Sequence, residues 1–331
     1  MNFAYVLVSD NNDIYYEQML VSLISLKHWN TDACVSLVVD DDTANTFVSP
    51  MRKRHEKYVD EVIIKTFSAD KSKLYRSRYL KTTLREILNG DFLYIDTDTI
   101  VCGKINPSAF TWDVMGVDDC HQLPQNHSGW SNLSKEIRAS GFSENGIDHY
   151  INGGVLWMKD CDKSHQLSSL WHSLWNQSLE KGIFVDQPSL NEANRRMSKC
   201  IKLLPGEYNC QISSTLRYLY QAKIIHCFAT TVSCVEKHRA AFYFLNPDFY
   251  RVIKNKEISS EDKSLIFNAK SAFDEGETIL LGKHDSDIYR NLSKTNLFGF
   301  LYCLFNSKRG RWLFDFMDEI VGVVTSLFWK K

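Results

Sequence analysis

Asp96 and Asp98 stand two residues apart in the apolar run Leu93–Val101, LYIDTDTIV. Read as one strand, the run alternates its side chains between two faces, so both carboxylates face the same way. An unpaired buried charge is costly, which puts the pair at the strand's open end, facing a cation or a catalytic partner. Two hard oxygen ligands favour Mg²⁺ or Mn²⁺, and such a cation favours a diphosphate. Many D-x-D pairs only cap turns, so the surrounding elements must decide.

Those elements alternate. Tyr5–Val8 reads as a strand, and Glu17–His28 as a helix with Leu20, Leu23, Ile24 and Lys27 at helical spacing. Val35–Val39 and Val62–Ile64 are further strands, and Leu74–Leu88 is a helix closed by Asn89-Gly90. The β-α-β-α-β order predicts an α/β fold with a mostly parallel central sheet flanked by helices. Ligands bind beyond the carboxyl ends of such strands, where Ser9-Asp10, Asp40–Asp42 and Asp96–Asp98 would converge. The triple aspartate reads as a solvated turn. Val114–Val117 is a strand ending in Asp118-Asp119, and 120–150 a long polar loop over the site. Gly154–Met158 is a strand, and Leu167–Leu179 a helix whose Trp171 and Trp175 read as core. Asp186-Gln187-Pro188 opens another helix, and Lys223–Phe228 is a strand carrying His226.

Composition narrows the classes. The chain has 331 residues, 44% of them hydrophobic, enough for a substantial core. A net charge of −1 provides no general basic surface, so no nucleic-acid partner is expected. Nine cysteines without a C-x-x-C pair read as reduced, buried thiols. MNFAYVLVSD lacks a basic region and a cleavage site, so it reads as a strand, and a cytoplasmic location is expected. No apolar run reaches membrane-spanning length.

Eight pieces in one order then carry a resemblance: VSDNNDIYY (8–16), RYLKTTLREIL (78–88), YIDTDTIV (94–101), VMGVDD (114–119), INGGVLWM (151–158), VDQPSLN (185–191), LPGEYNC (204–210) and IIHCF (224–228). Across residues 3–228 the chain resembles family 8 glycosyltransferases of the GT-A fold, the group of glycogenin and the bacterial lipopolysaccharide galactosyl- and glucosyltransferases. The resemblance implies a Rossmann-like sheet and retaining transfer of a hexose, glucose or galactose, from a UDP-sugar, with Mn²⁺ as cofactor and Mg²⁺ as the alternative. It implies Asp96, Asp98 and His226 as metal ligands, with Thr97 between them at the donor. Val8, Ser9, Asp10 and Tyr15 match the uridine segment; Tyr16 is an equal candidate for stacking on uracil. Lys81 would meet the diphosphate or the sugar, with Arg78 the competing assignment. Asn152, Gly153 and Gly154 would approach the donor sugar, the Asn amide reaching its hydroxyls. Asp186 would bond those hydroxyls or cap its helix. Gln187 matches the position under the anomeric carbon, where an amide oxygen stabilises oxocarbenium character but is a poor nucleophile. Front-face retention, with a leaving phosphate oxygen taking the acceptor's proton, follows.

One departure counts against activity. After His226 the chain reads HCFATTVSCVEKHR, without the glycine and Lys-Pro-Trp the family commonly carries, and Lys237, His238 and Arg239 are the nearest basic residues. A non-catalytic nucleotide- or sugar-binding relative is therefore the alternative. A haloacid-dehalogenase-type phosphatase with Asp96 as nucleophile also fits YIDTDT, but too little chain separates it from Val117-Asp118-Asp119.

Residues 1–240 are thus expected to form the catalytic domain and 241–331 a helical C-terminal extension. Its end, residues 296–331, pairs aromatic-rich apolar segments with Lys308, Arg309, Arg311, Lys330 and Lys331, while Asp315, Asp318 and Glu319 argue against a span. That pattern suits peripheral contact with an anionic membrane face, here the inner membrane of a bacterium, or packing on the main domain or a second subunit of a homo-oligomer. At a membrane the acceptor would be a lipid-linked saccharide or a lipopolysaccharide glycan.

Overall fold

The structure, a computed structural model, describes residues 1–127, 129–228 and 240–271, with scattered positions between 295 and 320. The chain divides into two compact units, Met1–Glu275 and Gly276–Lys331.

The first unit opens with β1 (Asn2–Leu7), α1 (Tyr15–Trp29), β2 (Cys34–Asp40), α2 (Asp41–Asn45) and β3 (Glu61–Lys65). Then come α3 (Lys73–Thr82), α4 (Leu84–Ile87), β4 (Phe92–Ile95), β5 (Thr99–Val101) and β6 (Val114–Asp118). The chain continues through α5 (Trp130–Ala139), β7 (Ile151–Met158), α6 (Asp162–Leu179), α7 (Gln187–Arg196), β8 (Ile201–Leu203), β9 (Cys210–Gln211) and β10 (Ile224–His226). Helices α8 (Ala240–Tyr243), α9 (Pro247–Lys254) and α10 (Ser260–Phe267) follow.

Seven strands form the main sheet in the order β3-β2-β1-β4-β7-β6-β8, and β5-β10-β9 form a small second sheet. β1 runs parallel to β2 and β4, and β2 to β3. β7 alone runs antiparallel to both its neighbours, β4 and β6. β1, Phe-Ala-Tyr-Val-Leu after Asn2, is buried throughout, as a central parallel strand covered on both faces must be. One core packs α1 against β5, α9 and α10; the other packs α3, α6 and α7 on the opposite face. Trp171 and Trp175 are core residues, 1% and 0% exposed.

Several local expectations change. The helix expected over 74–88 breaks at Thr83, which caps both α3 and α4. The polar stretch 120–150 contains α5 rather than only loop. Asp40 is fully buried, caps α2 by accepting from the Thr43 amide, and pairs with Arg76 at 2.9 Å. Of the three aspartates, only Asp42 is exposed, and it lies in α2 and also pairs with Arg76. All seven described cysteines are free, but Cys34 is exposed and Cys120, Cys161 and Cys200 are only partly buried. The core of the first unit includes Ala240, Phe244, Phe249, Tyr250, Ile253 and Ile266.

Among the described residues no helix is long and apolar enough to cross a membrane. Most of 296–331, including its basic residues, lies outside the described residues, though Leu297, Phe300, Phe316, Met317 and Ile320 are exposed.

Candidate active site

The run Leu93–Val101 is not one strand. β4 ends at Ile95 in the main sheet and β5 begins at Thr99 in the second sheet, so Asp96, Thr97 and Asp98 form the turn between them. The pleat therefore does not aim the carboxylates; the crossing does. The Asp96 amide donates to the Gly154 carbonyl on β7, and the Cys227 amide donates to the Asp98 carbonyl. β10 lies antiparallel to β5 with His226 opposite Thr99, which delivers the imidazole to the same turn. His226 Nε2 is 3.3 Å from Asp98 Oδ1 and 3.9 Å from Asp96 Oδ2. Burial opposes charging His226, but Asp98 and then Asp96 outweigh it and raise its pKa; Asp98 is held low by the same pairing against its own burial.

Two carboxylates and an imidazole, with one ligand atom from each lying together, fit a divalent cation, and the nitrogen favours Mn²⁺ over Mg²⁺. Gly154 leaves the room. A Cβ there would lie 2.2 Å from His226 Cε1 and 2.9 Å from Asp96 Oδ2.

The triad lines a cleft of about 900 Å³ beyond the carboxyl ends of the parallel strands. Of the residues anticipated from sequence, Val8, Tyr15, Arg78, Lys81, Thr97, Asn152, Gly154, Asp186 and Gln187 share that lining with the triad; Ser9, Asp10 and Gly153 do not. Arg78 and Lys81 both face the cleft from α3, so the two candidates for one role are both present. Lys81 Nζ lies 3.1 Å from Asp96 Oδ1, and Tyr94 donates its hydroxyl to the same oxygen. Burial and the neighbouring Asp96 push the Tyr94 phenol well up, keeping it a donor.

Arg78 Nε lies 3.0 Å from Asp186 Oδ1. The guanidinium pKa is raised by Asp186, against the effect of burial. The approach lacks hydrogen-bond geometry, and Arg78 Nε and Asp186 Oδ2 are buried without a hydrogen-bond partner in the protein, while the buried Tyr150 hydroxyl lies against the Gln187 amide. Asp186 precedes α7 but its side chain does not cap the helix. Arg78 and Asp186 therefore line the cleft as a closely approached charged pair whose Nε and Oδ2 atoms are sealed from solvent.

Gln187, at the start of α7, is held at both ends of its amide. Its Oε1 accepts from the Gly153 amide at 3.2 Å and its Nε2 donates to Asp119 Oδ1 at 3.3 Å. Asp119 also accepts from Asn152 Nδ2 at 2.8 Å and from His127 Nε2 at 2.9 Å. Burial would raise its pKa, but His127, Asn152 and Gln187 together hold it low. Asn152 and Gly153 extend the strand expected from Gly154, so all three belong to β7.

At the other end of the cleft, Tyr15 is 51% exposed and Tyr16 is fully buried, so Tyr15 is the available stacking ring. Ser9 is buried; its hydroxyl donates to Asp13 Oδ1 at 2.6 Å and accepts from Arg52 at 3.3 Å. Asp10 pairs with Lys73, and that hydrogen bond draws its pKa down to about 2.

Asp119, His127, Tyr150, Asn209 and Glu136 were not among the anticipated site residues. Asp119 was visible only as a strand-end acid, and Asn209 only as one residue of LPGEYNC. Glu136 lines the cleft from α5, and burial with Asp119 nearby raises its pKa. Asp119, Cys120 and His127 also lie within ligand distance of one another. However, His127 Nδ1 accepts from the Gly129 amide at 3.0 Å, which places the imidazole proton on Nε2, toward Asp119. Burial, with Asp119 beside it, pushes the Cys120 thiol up to about 12. That group is a hydrogen-bonded brace rather than a cation cage. The segment 229–239, with Lys237, His238 and Arg239, lies outside the described residues.

No protein-family model matches the chain, and no curated protein does. Many solved structures are similar to it, two of one enzyme among them. One is the galactosyltransferase LgtC in complex with donor and acceptor sugar analogs, at 14% identity and a TM-score of 0.49. The other is an active-site mutant of LgtC, at 12% identity and a TM-score of 0.50. Each match covers 80% of this chain and 100% of the other. The chain has a mixed α/β fold with a mostly parallel central sheet flanked by helices, the GT-A fold of glycosyltransferases.

Proposed function

We propose that the protein is a metal-dependent, retaining glycosyltransferase that moves a hexose from a UDP-sugar to a glycan or lipid-linked acceptor. The observation that carries this reading is one cleft in which Asp96, Asp98 and His226 meet while Arg78, Asp186 and Gln187 line the wall beside them. A cation held by the first three would neutralise charge on the leaving diphosphate.

The protein's own groups do the rest. Tyr15 offers a face for the uracil ring, and Lys81 supplies a positive charge beside the cation site. Arg78 and Asp186 line the wall beside the cation site, where a guanidinium and a carboxylate would orient the sugar. Gln187 presents to the cleft a carboxamide whose oxygen accepts from the Gly153 amide and has a second lone pair. An amide oxygen stabilises positive charge developing at an anomeric carbon without forming a durable bond to it. The acceptor's proton then passes to a departing phosphate oxygen, and no protein base is needed. The expected location is cytoplasmic.

Calorimetric titration of UDP with Mn²⁺, with EDTA, and into Asp98→Ala tests the reading. Micromolar binding that needs both the metal and Asp98 supports it, and release of hexose from a UDP-sugar on prolonged incubation extends it to catalysis. UDP binding of equal strength in EDTA would remove the metal from the scheme. Binding without any turnover would favour the non-catalytic alternative.

A further inference from the structure

His226 enters the cation site with one ring nitrogen, and which nitrogen carries its proton decides whether a lone pair faces the carboxylates. His226 Nδ1 lies 3.0 Å from Asn209 Oδ1. The Nδ2 of Asn209 donates to Asn152 Oδ1 at 3.0 Å, and the Nδ2 of Asn152 donates to Asp119 Oδ1 at 2.8 Å. All four side chains are buried, Asn209 completely.

The direction of every bond in this chain follows from groups that have no choice. Ionised Asp119 only accepts, so Asn152 must turn its NH₂ toward it. The Gly154 amide only donates, and it lies 2.9 Å from Asn152 Oδ1, so the carboxamide oxygen must face that way. Asn152 is thus fixed twice. Its oxygen requires the NH₂ of Asn209, which leaves the Asn209 oxygen for His226. An oxygen acceptor at Nδ1 requires a proton there. Asp98 Oδ1, 3.3 Å from Nε2, competes for a proton on the other side. The proton a cation would displace is therefore the one on Nε2, which leaves that lone pair toward Asp96 and Asp98.

We infer that Asn209 and Asn152, anchored on Asp119 and the Gly154 amide, are positioning residues that hold His226 in its Nδ1-protonated form and so make it a metal ligand. The consequence for metal binding rests on the donor-site reading above, while the hydrogen-bond directions do not. The same Asp119 oxygen accepts from Gln187, so one carboxylate sets both the metal ligand and the amide proposed to face the anomeric carbon. Hydrogen bonding behind a metal-bound imidazole commonly governs affinity by roughly 10–100-fold.

The test is long-range ¹H–¹⁵N NMR of the histidine rings at alkaline pH on metal-free full-length protein, with Mn²⁺ affinity measured by electron paramagnetic resonance without nucleotide. Wild type should show His226 protonated on Nδ1. Asn209→Leu should give a mixture of tautomers and bind Mn²⁺ roughly 10–100-fold more weakly. Asn209→Asp, which keeps an acceptor at Nδ1 but loses the donor to Asn152 Oδ1, should restore the Nδ1 tautomer relative to Asn209→Leu. Asn152→Leu, which never touches the imidazole, should show an intermediate loss, a result that mere support of the fold would not produce. An Nε2-protonated His226 in wild type overturns the inference. So do unchanged tautomer and affinity in both leucine variants at wild-type melting temperature. If a variant does not fold, the wild-type spectrum alone still decides. A wild type that binds no divalent cation would sink the donor-site reading, while the tautomer continues to judge the relay.

Discussion

Lys81 Nζ lies 3.1 Å from one oxygen of Asp96 and 3.2 Å from the other, so an ammonium group already sits on a carboxylate assigned to the cation. Asp96 cannot bind both at full strength. A nucleotide diphosphate would give Lys81 another partner, and metal and nucleotide would then bind together better than either alone. Lys81→Met is expected to tighten Mn²⁺ binding to the nucleotide-free protein by on the order of fivefold, equivalent to about 1 kcal/mol. The same change should weaken UDP binding. Titration of each ligand separately checks this, and weaker Mn²⁺ binding in the variant would show that Lys81 supports the site instead of competing for it.

Two adjacent glycines should behave differently. A Cβ on Gly154 meets His226 and Asp96 well inside contact distance, whereas one on Gly153 comes no closer than 3.6 Å, to Lys81 Nζ. Gly154→Ala is expected to cost roughly 10–100-fold in Mn²⁺ affinity by displacing two of the three ligands. Gly153→Ala should bind Mn²⁺ as wild type does. Equal affinities for the two variants would mean that the cation does not use this triad.

The Arg78–Asp186 pair separates stability from chemistry. The Asp186 side chain is only 6% exposed, so Arg78→Met strands a largely buried charge and should cost about 2–3 kcal/mol in urea unfolding. Arg78→Met combined with Asp186→Leu should recover most of that stability but none of the transfer activity. Recovery of activity in the double variant would assign the pair to the fold alone.

Stability should depend on pH through His121. Burial, and then the positive charge of Arg217, lowers its pKa from the usual imidazole value of 6.5 to about 4. Between those values the unfolded chain binds more protons than the folded one, so stability rises with pH. The contribution is complete above about 6.5 and lost as pH falls toward about 4, on the order of 2 kcal/mol allowing for partial exposure. His121→Asn, which tolerates the residue's φ of 53°, should flatten that part of a denaturation-versus-pH curve. An unchanged slope would place the acid sensitivity elsewhere.

Much of the scaffold is legible without coordinates. Apolar runs such as Val35–Val39 and the helical spacing of Leu20, Leu23 and Ile24 mark elements that coincide with β2 and α1 to within a few residues. Proline after Asp186-Gln187 marks the start of α7 correctly. The break at Thr83 was not visible, because the helical spacing of Leu80, Leu84 and Ile87 runs straight through it. Helix α5 was missed although Trp130, Leu133 and Ile137 recur at helical spacing within an otherwise polar stretch.

The sequence by itself determined the order of the elements, the Asp-x-Asp pair, and a histidine on a late strand, since hydrophobic period and turn chemistry are local properties. Only the tertiary structure decided that the aspartates occupy a crossing between two sheets rather than a pleated strand. It also decided that Tyr15 and not Tyr16 faces the cleft, and that Asp119 governs Gln187 from 68 residues away and Asn209 meets Asn152 across 57. A hydrogen bond needs its donor and acceptor within about 3 Å, and closeness of that kind between distant residues exists only once the chain has packed.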